Sequence, residues 1–240
     1  MTRVLVTGAT GYVGGRLVPR LLEAGHRVRC LARDPRRLLG RPWGDIEVVR
    51  GGVDDPEALA RAMDGCEVAF YLIHSMTGTE KGFADRDRQH AENFAAAARA
   101  CPSLRRIIYL GGLGGGGAQD DMSPHLRSRQ EVGEVLRRSG KAVTEFRAAV
   151  IVGSGSASFE MIRYLTERLP VMICPRWVTT RCQPIAIRDV LRYLLEALSV
   201  PGSEGRVLEI GGPDVLTYAD VMRGYARVRG LRRWLIWYRC

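Results

Sequence analysis

The sequence predicts an α/β protein built on a doubly wound parallel sheet, and three observations carry that reading. Short apolar runs with β-branched weight alternate with stretches of helical spacing from Arg3 to Val152, the rhythm of strands joined by crossover helices. The first run, Val4-Leu5-Val6, opens directly into a glycine-rich turn, Thr7 to Gly14. From Gly153 onward the elements shorten and the alternation lapses, which marks a small C-terminal lobe on the substrate side of a Rossmann sheet. Residues 1–240 are therefore read as one domain, a core over 1–152 with a small lobe over 153–240 interleaved with it.

Each element has its own justification. Val4 to Val6 suit a fully buried parallel strand, and Leu17, Val18, Leu21 and Leu22 follow at helical spacing. Gly25-His26 stops that helix, and Arg27 to Ala32 is a second strand. Asp34 is placed to cap a turn before Pro35. Ile46 to Arg50 is a third strand, and Pro56 suits the first position of a helix. Glu67 to Ile73 is a fourth strand running into His74-Ser75-Met76. Phe83 to Ala100 is a long helix whose alanines allow close packing on the sheet. Leu104 to Leu110 is a fifth strand, followed by a glycine-rich loop from Gly111 to Gly117. His125 to Ser139 is helical and Val143 to Val152 a sixth strand. In the lobe, Phe159 to Arg168 and Tyr218 to Val228 read as helices, Val171 to Cys174 and Arg206 to Ile210 as strands. The tail Trp234-Leu235-Ile236-Trp237-Tyr238 is either a buried final strand or an exposed surface able to meet a membrane.

Composition narrows the classes. The chain has 240 residues, 46% of them hydrophobic, enough for one large core. No apolar run approaches the roughly 20 residues of a membrane span, and the chain opens on a strand with no signal peptide pattern. The six cysteines are scattered without a C-x-x-C pair, so reduced thiols are expected and neither a metal site nor a disulfide framework is. The net charge is +10 and only Lys81 and Lys141 are lysines. The arginines are dispersed and no basic block interleaves with aromatics, which argues against nucleic acid. An arginine-rich codon bias, a phosphorylated cofactor or acidic lipid remain as explanations of the charge.

The chemistry begins at the glycine-rich turn. A strand, T-G-x-x-G-x-x-G over Thr7 to Gly14 and a helix together form a dinucleotide-binding signature. Gly8 permits the tight turn, Gly11 lets backbone approach a pyrophosphate, and Gly14 lets helix and strand pack closely. The free N–H groups at the helix start hold the anion. After the second strand, an acidic residue would bind a ribose 2′-hydroxyl and an arginine a 2′-phosphate. Here Arg33 precedes Asp34, with Arg36 and Arg37 beyond, which favours NADP over NAD. His74 falls at the carboxyl edge of the fourth strand, where it borders the nicotinamide side.

Together, T-G-A-T-G-Y-V-G, the Arg33 site, Ile73–Met76, Phe146–Gly153, Gln183–Val190 and Glu209–Pro213 resemble the short-chain dehydrogenase/reductase superfamily in its extended and atypical branches. The resemblance implies cofactor contacts from Thr7, Gly8, Thr10, Gly11, Tyr12, Val13, Gly14, Arg33, Asp34, Gly52, Val53, Leu72, Ile73, His74, Leu110, Gly111, Arg129, Ala148, Ala149 and Val150. It also implies that such proteins continue past Cys240, so the chain is either truncated or naturally short. The family's Ser after strand five and its Tyr and Lys four apart on the next helix are missing. Strand five ends Tyr109-Leu110-Gly111-Gly112, His125 and Arg129 stand at the Tyr and Lys places, and Gly52 replaces the Asp that contacts adenine.

His125 and Arg129 share a helix face. Imidazole exchanges protons near neutrality, whereas guanidinium only holds a charge. They are the candidate catalytic pair. The leading expectation is an NADP(H)-dependent oxidoreductase acting on a small carbonyl or enone. The alternative is a non-catalytic sensor or accessory protein, like NmrA-like regulators or the NADPH-carrying subunit of respiratory complex I. Nucleotide-sugar isomerase or dehydratase work is disfavoured, because those relatives keep the Tyr and Lys. A bacterial cytoplasmic location is expected, and a homodimer is left open.

Overall fold

The computed structural model describes residues 1–74, 80–114 and 123–237. Ser75, Met76 and the loop from Gly115 to Gly117 lie outside the described residues, as does Tyr238. The strands of four or more residues are β1 (Arg3–Thr7), β2 (Arg27–Ala32), β3 (Glu47–Arg50), β4 (Val68–Tyr71), β5 (Arg106–Gly112), β6 (Ala142–Ala148), β7 (Val171–Cys174), β8 (Val207–Ile210) and β9 (Trp234–Trp237). The α-helices are α1 (Gly14–Glu23), α2 (Pro56–Met63), α3 (Glu80–Ala100), α4 (Pro124–Arg137), α5 (Ala157–Arg168), α6 (Ile187–Glu196) and α7 (Tyr218–Val228). The central sheet has seven strands in the order β8-β6-β5-β4-β1-β2-β3. β1 pairs in parallel with β2 and β4, β2 with β3, and β4 with β5. The order reverses direction at β1 and β4, which is the topological switch point of a doubly wound sheet.

The chain divides into two compact units. The first holds Met1–Arg147 and Leu191–Glu209; the second holds Ala148–Val190 and Ile210–Cys240. In the first, every residue of β4 and β5 is buried, as their near-continuous apolar sequence requires. Phe70, Phe94, Ile107 and Leu104 fill the core, and the Tyr71 ring meets Phe94 edge-on at 4.9 Å. Ala91, Ala95 and Ala98 of α3 bury their small side chains there. The caps follow from sequence. Asp55 accepts from the Ala58 N–H at 3.0 Å ahead of Pro56, and Ser123 accepts from the Leu126 N–H ahead of Pro124.

Differences from the sequence reading have local causes. The predicted sixth strand breaks after Ala148 and only Ile151–Val152 resumes, paired with Ile185–Ala186 in the second unit. Gly111 and Gly112 are the last residues of β5 rather than loop, and both are buried. In the second unit, β7 and β9 form a parallel pair. One face packs Met172, Cys174 and Leu235 with Ile162, Leu165 and Met222, so the tail is a strand buried on one side only.

Candidate functional site

The glycine-rich turn is built by close backbone approach. Gly8 has φ +76°, and a Cβ there would lie 2.5 Å from the Leu72 carbonyl oxygen. Side chains rarely adopt that conformation. A Cβ on Gly14 would stand 2.3 Å from the Gly8 oxygen, so α1 starts in contact with the turn. At Gly11 a Cβ would meet only the Gly8 oxygen at 3.1 Å, and the Gly11 N–H donates to that same oxygen at 2.9 Å. The tight turn at Gly8 and the close packing at Gly14 are as the spacing predicts. The Thr7 hydroxyl is engaged with β4: it donates to the Phe70 carbonyl at 2.9 Å and accepts from the Leu72 N–H. The Arg16 guanidinium lies 4.2 Å over the Tyr12 ring and donates to the Tyr12 carbonyl. Thr10 and Val13 complete the turn between β1 and α1.

At the end of β2 the two charged residues separate in role. Asp34 accepts from the Arg36 backbone N–H at 3.1 Å and from its guanidinium at 2.8 Å. That guanidinium, first among several causes, holds the Asp34 carboxyl below its usual range. Arg33 is exposed, and among the described residues it has no ion-pair partner within 4.0 Å. Its Cγ lies 3.3 Å from where a Gly52 Cβ would be, so the missing side chain at Gly52 leaves room for the arginine stem. Val53 is a core residue whose carbonyl accepts from Asn93 at 3.1 Å. The sequence reading missed Arg41. Its Nη1 lies 2.7 Å from the Cβ position of Gly15, beside the start of α1. The signal was an arginine in the loop after β2, hidden by its distance from the glycine motif.

The carboxyl edges of β4 and β5 bring the candidate catalytic residues together. The rings of His74 and His125 are 6.4 Å apart, and Phe83 is 5.9 Å from His125. Leu72 and Ile73 lead to His74 and are half-buried. Arg129 donates to the Leu110 carbonyl at 2.5 Å, while its Nε is buried without a hydrogen-bond partner among the described residues. A Cβ on Gly112 would lie 2.8 Å from Leu126 and 3.3 Å from Arg129, so the side chain of a serine would displace both. A Cβ on Gly111 would lie 3.2 Å from the Glu145 carboxylate. The missing serine is therefore a fitted absence.

Two buried tyrosines lie beneath. Tyr109 donates to the Arg129 carbonyl at 2.8 Å, and burial pushes its hydroxyl up to about 12. Burial also raises Tyr71. Neither can exchange a proton near neutrality. Burial, then the Arg129 charge, lowers the His125 imidazolium, while Asp87 opposes the shift. Desolvation, then the Arg129 and His125 charges, shifts His74 downward, while the residue stays more than a third exposed. Both rings are neutral at pH 7, with a fixed cation beside them. Ala148, Ala149 and Val150 belong to the second unit, where the Val150 carbonyl accepts from the Ile185 N–H at 3.0 Å.

The fold and the turn define a Rossmann-type dinucleotide-binding protein. The family model described as NAD(P)H-binding matches residues 8–156, and the chain belongs to that family. It is 30% identical over 95% of its length to "(4-alkanoyl-5-oxo-2,5-dihydrofuran-3-yl)methyl phosphate reductase" of Streptomyces griseus, covering 74% of that protein. It is 29% identical to "Ceramide reductase" of Caulobacter vibrioides, covering 97% of this chain and 72% of the relative. Photosystem II assembly factor Ycf39 of Cyanophora paradoxa is 26% identical over 95% of this chain and 68% of its own. Among solved structures, MoeE5 in complex with UDP-glucose and NAD has a TM-score of 0.79 at 20% identity, covering 98% of this chain and 85% of that one.

Proposed function

We propose that this protein is an NADP(H)-dependent oxidoreductase that reduces a small organic carbonyl or enone without the Ser/Tyr/Lys set of its superfamily. One observation carries the reading: the Arg129 guanidinium, which has no carboxylate partner among the described residues, stands beside two neutral imidazoles at the carboxyl edge of β4 and β5. When bound, the nicotinamide supplies the hydride. The chain's residues then have three tasks. The Gly8–Gly14 turn and the N-terminus of α1 hold the pyrophosphate. Arg129 stabilises negative charge developing on the substrate oxygen, a contribution that grows where water is excluded. His125 donates the proton through the small imidazolium fraction that its lowered pKa allows. Reductase names among the relatives support a reaction of this type, and one of those names describes an oxo-dihydrofuran phosphate carrying an alkanoyl arm.

Preference for NADP rests on Arg33 having no ion-pair partner among the described residues while Asp34 is held by Arg36. A 2′-phosphate would meet a free guanidinium, and a 2′-hydroxyl would meet a carboxylate already engaged. The second reading, an accessory or sensor protein, is favoured by the similarity to an assembly factor and to a complex I subunit of Arabidopsis thaliana. Fluorescence titration with NADPH and NADPH consumption against quinones, aldehydes and enones separate the two. Consumption that falls in His125→Ala supports the enzyme. Tight binding with no consumption by any of them supports the accessory role.

A further inference from the structure

The sheet of β7 and β9 has a bare face. Side chains alternate across a strand, and the parallel register sets Trp234 beside Val171 and Ile236 beside Ile173. Met172, Cys174 and Leu235 point to the packed side. The other four point away from it, and Ile173 is 74%, Trp234 71%, Ile236 53% and Val171 49% exposed. Four adjoining large apolar side chains on one sheet face are unusual for a surface meeting only water.

The sequence around this face is rich in arginine, and the carboxylates that adjoin it in sequence, Glu167 and Asp220, are paired with Arg163, Arg229 and Arg223. Residues 168–188 and 221–240 contain ten arginines and no aspartate or glutamate. Arg168 precedes β7 and Arg176 follows it, while Arg232 and Arg233 precede β9. The strands run in parallel, so both ends of the bare face carry arginine. Arg233 donates only to the carbonyls of Thr166, Glu167 and Arg232. Arg168 lies 5.2 Å from the Tyr164 ring, and Arg223, which pairs with Asp220, lies 5.7 Å from the Trp237 ring. Among the described residues Arg168, Arg176 and Arg232 have no carboxylate within 4.0 Å.

We propose that this face docks on an anionic lipid bilayer, with Val171, Ile173, Trp234 and Ile236 at headgroup depth and the flanking arginines on the lipid phosphates. Tryptophan favours that interface, and unpaired basic residues add attraction that salt screens. No described helix is long and apolar enough to cross a membrane. The inference does not rest on the reductase reading.

The test is flotation of the full chain with vesicles of phosphatidylcholine alone and with added phosphatidylglycerol. Binding to the anionic vesicles that 0.5 M salt weakens, with a blue shift of tryptophan emission, is the expected result. Trp234→Ser with Ile173→Ser should abolish it while NADPH affinity stays unchanged, which shows that the fold is intact. Arg176→Ser with Arg232→Ser alters only exposed charges and should weaken it by about tenfold or more. Equal binding to both vesicle types, or none to either, overturns the proposal. So does a dimer split by the Trp234 and Ile173 changes with no vesicle binding, which would make the face a contact between copies.

Discussion

At Arg33, one guanidinium carries the proposed preference between two coenzymes. A charge-assisted hydrogen bond contributes about 1.5–3 kcal/mol, so Arg33→Ala should weaken NADPH by that amount and leave NADH nearly unchanged. Paired fluorescence titrations check this, and equal losses for both would end the NADP assignment. His125 gives a pH prediction. Its imidazolium is suppressed in the fold, so reduction that uses it as an acid should accelerate as pH falls below 6.5. That acceleration should vanish in His125→Gln, measured as kcat against pH.

At the scale of elements, α4 is held to the sheet by a buried carboxylate. Glu145 of β6 is fully buried, contacts Arg137 at 2.5 Å and Arg147 at 2.8 Å, and fills the space beside Gly133. A Cβ on Gly133 would lie 2.3 Å from the Glu145 Oε2. Gly133→Ala should therefore destabilise by about 1–3 kcal/mol, the usual effect of overpacking, although alanine is the better helix former. Denaturant unfolding measures it. This element also shows what a sequence reveals. The helix and the shared face of His125 and Arg129 were legible, because 3.6-residue spacing is local. The fit of Leu126 and Arg129 over Gly112 was not, because it joins residues on different elements. The glycine turn was readable nearly in full, since its strand, bend and helix adjoin in sequence. Arg41 was not, since its approach to Gly15 depends on the path of a loop. The end of β6 was overextended for a related reason: Ala148 to Val152 is an unbroken apolar run, and only tertiary pairing shows that the strand stops at Ala148.

For the whole molecule, Arg106 is the deepest cation and the one that closes the first unit. From β5 it donates to Thr144 at 2.7 Å, Ser203 at 2.7 Å and the Ala197 carbonyl at 2.5 Å, and it faces Glu204 at 3.5 Å. Burial lowers its pKa, with Glu204 opposing the shift. Arg106→Ala would leave several buried acceptors without a donor and should cost about 3 kcal/mol, seen as a lower melting temperature.

Three of its partners, Ala197, Ser203 and Glu204, come from the segment Leu191–Glu209, which returns to the first unit after the chain has built most of another. During synthesis, β5 emerges with a guanidinium whose acceptors have not yet been made. The sheet's outer strand, β8, arrives later still. A nascent chain halted near residue 190 would hold the complete glycine turn and yet expose the flank of β6. Ribosome-bound intermediates of that length are where chaperone capture should be sought.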